Sequence, residues 1–163
     1  MRGRTRPPTS GWPKCARAGT ETVAGIFWDT NLFIYMLEEH PEFGPAVMQV
    51  YENMNRRGDR LITSSLTLGE LLTKPLRIGD AGLEQKYREL FQSPDVIVTP
   101  FDVEAAAHYA RIRQDRTIRP PDAIQLACAA RAGAALFITN DERLSRRTIP
   151  GLPFVTSLSR SPV

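Results

Sequence analysis

The chain has 163 residues, room for one domain of ordinary size and too few for two. It is 42% hydrophobic and 24% charged, the balance of a soluble globular protein, and no apolar run nears the roughly 18 residues of a membrane span. The net charge of +3 does not mark a nucleic-acid binder: Arg2, Arg4, Arg6, Lys14 and Arg17 supply five of the 21 basic residues within an acid-free stretch, and the remaining 16 face all 18 acids.

Residues 1–22 combine those arginines with Pro7, Pro8 and Pro13 and show no hydrophobic periodicity, so they read as a basic disordered tail. The segment lacks the apolar stretch of a secretory signal, and a solvated extension is the plainest account of its charge. Cys15 and Cys128 lie far apart without CxxC spacing, and Cys128 falls in an apolar helical stretch. A buried thiol and a reducing, cytoplasmic setting follow as expectations.

From Val23 the pattern changes to short apolar runs alternating with helical segments. Residues 23–28 form a first strand that ends at Asp29, and 31–39 a short helix stopped before Pro41. Residues 45–57 carry Val47, Val50, Tyr51 and Met54 at helical spacing and close at Gly58. Leu61 to Thr63 is a brief strand. Ser64 or Ser65 then caps a helix that turns Leu68, Leu71 and Leu72 inward around Glu70 and ends near Pro75.

A helix over 81–92 leads to a strand over 96–99, and Asp102 caps a helix carrying Val103, Ala106, Ala107, Ala110 and Ile112. After an arginine-rich connection, Pro120 and Pro121 open a small-residue helix from Asp122 to Ala132, ended by Gly133. Residues 135–139 make a strand, followed by Asn140, Asp141, a short helix around Leu144 and a last strand at Phe154 and Val155. Strands separated by helices predict an α/β fold with a largely parallel sheet. The expected organisation is the tail, one domain over 23–158, and a C-terminal tail over 159–163.

In such sheets ligands bind beyond the carboxyl ends of the strands. Asp29 and Asp141 each follow a strand directly, Asp122 opens a helix, and Glu70 lies one to two turns into the helix after the second strand. Four carboxylates gathered there repel one another unless a cation neutralises them, and oxygen donors without His or Cys select Mg²⁺ or Mn²⁺. Such an ion activates water and stabilises charge in phosphodiester hydrolysis. Asn31 and Thr139 are placed to hydrogen-bond the carboxylates or a bound water. Each aspartate alone also suits a helix cap or first turn; Glu70, flanked by leucines, fits that account less well unless it faces solvent.

At these residues the sequence resembles the PIN-domain family, above all the VapC-like toxins of bacterial toxin–antitoxin pairs. Trp28-Asp29-Thr30-Asn31 is similar to the family's opening DTN motif, Ser64 to Leu71 to its serine-to-glutamate helix, Pro121 to Ala127 to its DAxxxA helix, and Thr139-Asn140-Asp141 to its closing TxD. Order and spacing agree from about Ile26 to Val155. The resemblance implies a PIN fold, an α/β three-layer sandwich around a central, largely parallel sheet, with Mg²⁺- or Mn²⁺-dependent cleavage of single-stranded RNA and Asp29, Glu70, Asp122 and Asp141 as the acidic site. It also implies a homodimer and a small antitoxin whose segment fills the groove. Leu144 stands where many members have phenylalanine, and the tail before Val23 is unusual.

Arg119 and Arg143 head a set of arginines near the acidic motifs and are expected to grip RNA phosphates. The large apolar side chains of 32–37 and 45–57 exceed what a small core is expected to bury, which points to an interface. A phosphotransfer domain with an aspartate after the first strand would want a second acid at position 31, where Asn31 stands. A non-catalytic PIN module binding RNA or protein would have no need of all four acids.

Overall fold

The computed structural model describes residues 23–163; the expected basic tail, 1–22, and Cys15 lie outside the described residues. In chain order the elements are β1 (Gly25–Trp28), α1 (Thr30–Leu37), α2 (Gly44–Arg57), β2 (Arg60–Ser64), α3 (Ser65–Ile78), α4 (Ala81–Gln92), β3 (Val96–Thr99), α5 (Val103–Ile112), α6 (Pro120–Arg131), β4 (Leu136–Thr139) and β5 (Val155–Ser157). A 3₁₀ turn, Leu158–Arg160, follows. The strands form one parallel sheet in the order β3-β2-β1-β4-β5. The chain therefore builds outward from β1 to β3 on one side, then returns to add β4 and β5 on the other. The reversal falls between β1 and β4, where the crossovers part and where open parallel sheets bind ligands beyond their strand ends.

Side-chain alternation along each strand divides the interior into two layers. Ile26 and Trp28 of β1, with Leu136 and Ile138 of β4, face a cluster that holds Leu32, Phe33, Val47, Tyr51, Met54 and Tyr87 from α1, α2 and α4. Phe27, Ile62 and Phe137 face the other way, onto Ala105, Ile112, Ala123, Leu126 and Ala127 of α5 and α6. Phe27 and Phe137 stack there with ring centroids 5.1 Å apart. The parallel α/β fold is the one predicted from the alternation of strands and helices, and its three layers are those the resemblance implied. Its sheet needs both faces covered, which explains why the strands read as unbroken apolar runs.

Several local features differ from expectation. Pro75 does not end α3; the helix runs one further turn to Ile78 and closes at Gly79, whose φ of 72° is the left-handed cap geometry open to glycine. Leu144 lies in a turn, not a helix: the amides of Leu144 and Ser145 both fold back onto the Asp141 carbonyl. On α5 the buried positions are Ala105 and Ile112, while Val103 is 82% exposed. Residues 159–163 end on Val163, which packs into the first cluster. The apolar side chains of 32–37 and 45–57 are mostly core: Leu32, Phe33, Met36, Val47, Val50, Tyr51 and Met54 are all buried. Only Met48 of these two segments is an exposed large apolar residue; the other exposed ones include Leu76, Ile78, Phe101, Val103 and Phe154.

The Phe27–Phe137 stack joins the two strands that flank the reversal. Phe137→Ala should cost about 3–5 kcal/mol in urea-induced unfolding, through lost burial and the cavity left behind. A loss below about 1 kcal/mol would mean that the neighbouring alanines collapse into the space.

Candidate active site at the strand reversal

Parallel pairing of β1 with β4 sets Trp28 opposite Ile138, so the next residues, Asp29 and Thr139, emerge side by side. The Asp29 amide donates to the Ile138 carbonyl at 3.0 Å and extends the ladder by one bond. Asp29 then caps α1, its Oδ1 accepting from the Thr30 amide at 2.8 Å, while Oδ2 accepts from the Thr139 hydroxyl at 2.7 Å. That same hydroxyl accepts from the Asp141 amide at 3.0 Å. One threonine thus ties the carboxylate after β1 to the loop after β4.

Asp29 reaches the surface, yet protein surrounds most of its carboxyl group. Desolvation is the main force that pushes its pKa from 3.8 up to about 6, against the two hydrogen bonds and with help from the negative charges of Asp122 and Glu70. Asp141 is shifted the other way, chiefly by the hydrogen bond from Arg143, whose Nη2 lies 2.9 Å from Oδ2. Arg119 holds Asp122 by two bonds, Nε to Oδ2 at 2.9 Å and Nη2 to Oδ1 at 3.2 Å, and its Nη2 is also 4.0 Å from Asp141. Pro120 and Pro121 start α6 between Arg119 and Asp122, which sets this arginine and this acid within one turn of each other.

Glu70 is on the exposed side of α3, with Leu71 buried and Leu68 and Leu72 partly buried behind it, so its environment is not the apolar one expected from its neighbours. Its Oε2 nevertheless accepts from the Thr30 hydroxyl and lies 3.3 Å from Gln125 Nε2. Gln125 is 2% exposed and joins three helices. Its amide nitrogen donates toward Thr67 at 2.9 Å and Thr30 at 3.1 Å, and its oxygen accepts from Ser64, the residue whose hydroxyl caps α3. Thr63 completes the set with a hydroxyl 3.0 Å from that of Thr67.

Hydrogen bonds through Thr30 and Thr139 thus connect Asp29, Glu70 and Asp141, and Asp122 joins them through Arg119, which is 4.0 Å from Asp141. Thr139 takes part as expected. Asn31 is exposed and makes no side-chain hydrogen bond among the described residues; Thr30, one position earlier, is buried and meets Glu70. Ser64 was expected only as a helix cap, which it is, and Gln125, Thr67 and Thr30 were not proposed as site residues, although a glutamine among Ala123, Leu126, Ala127 and Ala129 is a polar interruption of a buried face. Cys128 lies behind the site, its thiol pushed up to about 11 by burial, so it is no nucleophile.

Among the described residues no three Asp, Glu, His or Cys side chains are close enough to form a ready-made metal cage. The donors present are oxygen only, and Asp29, its pKa raised chiefly by burial with smaller help from the charges of Asp122 and Glu70, is a desolvated carboxyl that a cation would favour in its charged form. Such a set suits a hard, hydrated divalent cation, which binds through one or two carboxylates and keeps several waters.

Fold and site together define a three-layer α/β domain with an acidic, oxygen-donor crevice at the reversal of its sheet. The PIN domain family model matches residues 26–149, and the chain belongs to that family. Among curated proteins none matches. Of solved structures, VapBC2 from Rickettsia felis, bound to a DNA fragment from its promoter, is similar with a TM-score of 0.66 and 20% identity over 82% of this chain and 98% of the other. A toxin–antitoxin complex from Klebsiella pneumoniae gives 0.59 and 20% identity over 80% and 98%. Mycobacterium tuberculosis VapC20, a sarcin-ricin-loop-cleaving toxin, gives 0.57 and 17% identity over 69% and 86%. At these identities the likeness is one of fold.

Two measurements test the site. Gln125→Leu leaves Ser64, Thr67 and Thr30 short of a partner and should cost about 1–3 kcal/mol by urea unfolding; a neutral result would show that the hydroxyls pair among themselves. For Asp29 the folded pKa lies above the unfolded one, so the folded state binds more protons and the metal-free protein loses stability as pH rises from about 4 through about 6. The stability of Asp29→Asn relative to wild type should grow over that window, and a difference that stays flat with pH would remove desolvation as the dominant influence on this carboxylate.

Proposed function

We propose that this chain is a metal-dependent endoribonuclease, the toxin of a toxin–antitoxin pair, with Asp29, Glu70, Asp122 and Asp141 as its catalytic and metal-holding carboxylates. The observation that carries the reading is the convergence of these four acids, from four separate elements, at the sheet reversal around a desolvated Asp29. Membership of the PIN domain family supports it, as does a fold shared with toxin–antitoxin proteins, one of them described as cleaving the sarcin-ricin loop.

A bound Mg²⁺ or Mn²⁺ would supply an activated water and charge stabilisation at the scissile phosphate. The chain supplies the rest. Thr139 and the Thr30 amide fix the direction of Asp29, and Thr30 with Gln125 fixes Glu70. Arg119 and Arg143, exposed on the rim, are suited to phosphate oxygens through their planar forks. Among the described residues no helix is long and apolar enough to cross a membrane, and we place the activity in the cytoplasm. The acidic crevice suits an antitoxin that presents a basic side chain, and the exposed Leu76, Ile78, Phe101 and Val103 supply apolar area for a homodimer.

Purified protein should cleave single-stranded RNA with Mg²⁺ or Mn²⁺ and stop when EDTA is added. Asp29→Asn should lower the rate by roughly a hundredfold or more, since a charged ligand is lost from water activation. Cleavage that survives EDTA would exclude the metal, and RNA or protein binding without any cleavage would favour a non-catalytic PIN module. Co-expression with a neighbouring short gene should relieve growth arrest and yield a stable complex; light scattering on the free protein should return twice the chain mass.

A further inference from the structure

The four carboxylates are not held alike. Asp29 and Glu70 are met by neutral donors: a backbone amide, two threonine hydroxyls and the Gln125 amide. Asp122 and Asp141 are each gripped by an arginine fork that occupies both oxygens, Arg119 on the first and Arg143 on the second. Those are the oxygens a cation would need, so an ion settling beside Asp29 recruits Asp122 or Asp141 only in competition with a guanidinium. The forks are light restraints: the arginine side chains are 63% and 76% exposed, and ion pairs that open to water hold weakly. Guanidinium also has a second good partner in phosphate, which offers the same paired acceptor geometry as carboxylate.

We propose that Arg119 and Arg143 form a displaceable latch on the acidic site, so that a divalent cation and a single-stranded phosphate backbone bind with positive coupling. This rests on the nuclease reading above for the phosphate partner. Phosphate draws the arginines outward and frees Asp122 and Asp141 for the ion; the ion takes the carboxylates and frees the arginines for phosphate. Linkage requires each ligand to tighten the other by the same factor. In the absence of nucleic acid the latch keeps the carboxylates neutralised and the site short of metal.

The test is Mn²⁺ binding to the full chain, followed by electron paramagnetic resonance of the free ion, with and without a short single-stranded oligodeoxynucleotide checked intact afterwards. Wild type should bind Mn²⁺ about three- to tenfold more tightly with the oligonucleotide present, the range accessible to two exposed ion pairs. The double variant Arg119→Lys, Arg143→Lys keeps both charges but loses the forks. It should bind Mn²⁺ tighter than wild type by a similar factor without nucleic acid, and gain little when nucleic acid is added. Equal affinity in the two proteins, no response of wild type to the oligonucleotide, or no Mn²⁺ bound by either overturns the latch. RNA cleavage measured alongside separates the two ideas: active wild type with no coupling overturns the latch alone, whereas both binding effects without cleavage keep the latch and remove the nuclease.

Discussion

The hydrogen bond from Thr139 to Asp29 is the interaction on which the site depends. It exists because β1 and β4 are parallel neighbours in register, which places residues 29 and 139 at adjacent strand ends. Thr139 is fully buried, so its hydroxyl must be satisfied within the protein, and it is satisfied twice, by Asp29 and by the Asp141 amide. That pairing lowers the cost of a carboxylate taken out of water. It also fixes the loop after β4, and with it Asp141 and Arg143.

A second constraint comes from Gln125. Helix α6 lies against α5 and the sheet through alanines, and a long polar side chain on that face has no water to turn to. It reaches Ser64, Thr67 and Thr30 instead, which binds α6 to α3 and α1 at the level of the carboxylates. A buried polar network is expensive when incomplete and rigid when complete. Here it sets the positions of two elements that carry acids, so packing and site geometry are one problem. Local strength at this edge is thus set by polar matching, while the rest of the interior relies on apolar contact.

Much of this was legible in the sequence. Strand and helix periods, the Pro120–Pro121 start of α6 and the glycine at 58 located elements to within a residue or two, because each signal is local. The four carboxylates were proposed from their place after strands, at a helix start and, for Glu70, one to two turns into a helix. What stayed hidden was decided by tertiary contact. Pro75 sits inside a helix because the turn beyond it still finds a cap at Gly79. Asn31 and Thr30 differ by one position, and only the direction in which α1 leaves the sheet decides which meets Glu70. The apolar excess of 32–37 and 45–57 vanished once two helices could share one face of the sheet.

Charge shows the same division between total and place. Beyond the first 20 residues the chain carries more acids than bases, yet arginines crowd the two loops that border the crevice. Arg147 joins Asp115 at 2.7 Å and so links the connection before α6 to the turn after β4. Asp115 is itself held by Thr117, through its amide at 2.9 Å and hydroxyl at 2.6 Å, and Arg113 closes the connection onto the Ile118 carbonyl. The contacts of Asp115 are exposed and individually weak and that of Arg113 is half-buried, but they share one short segment, so Arg119 and Arg143 stand on a common rim. A basic edge beside an acidic floor fits the proposed nuclease, whose substrate would carry both a phosphate to be gripped and a phosphate to be cut.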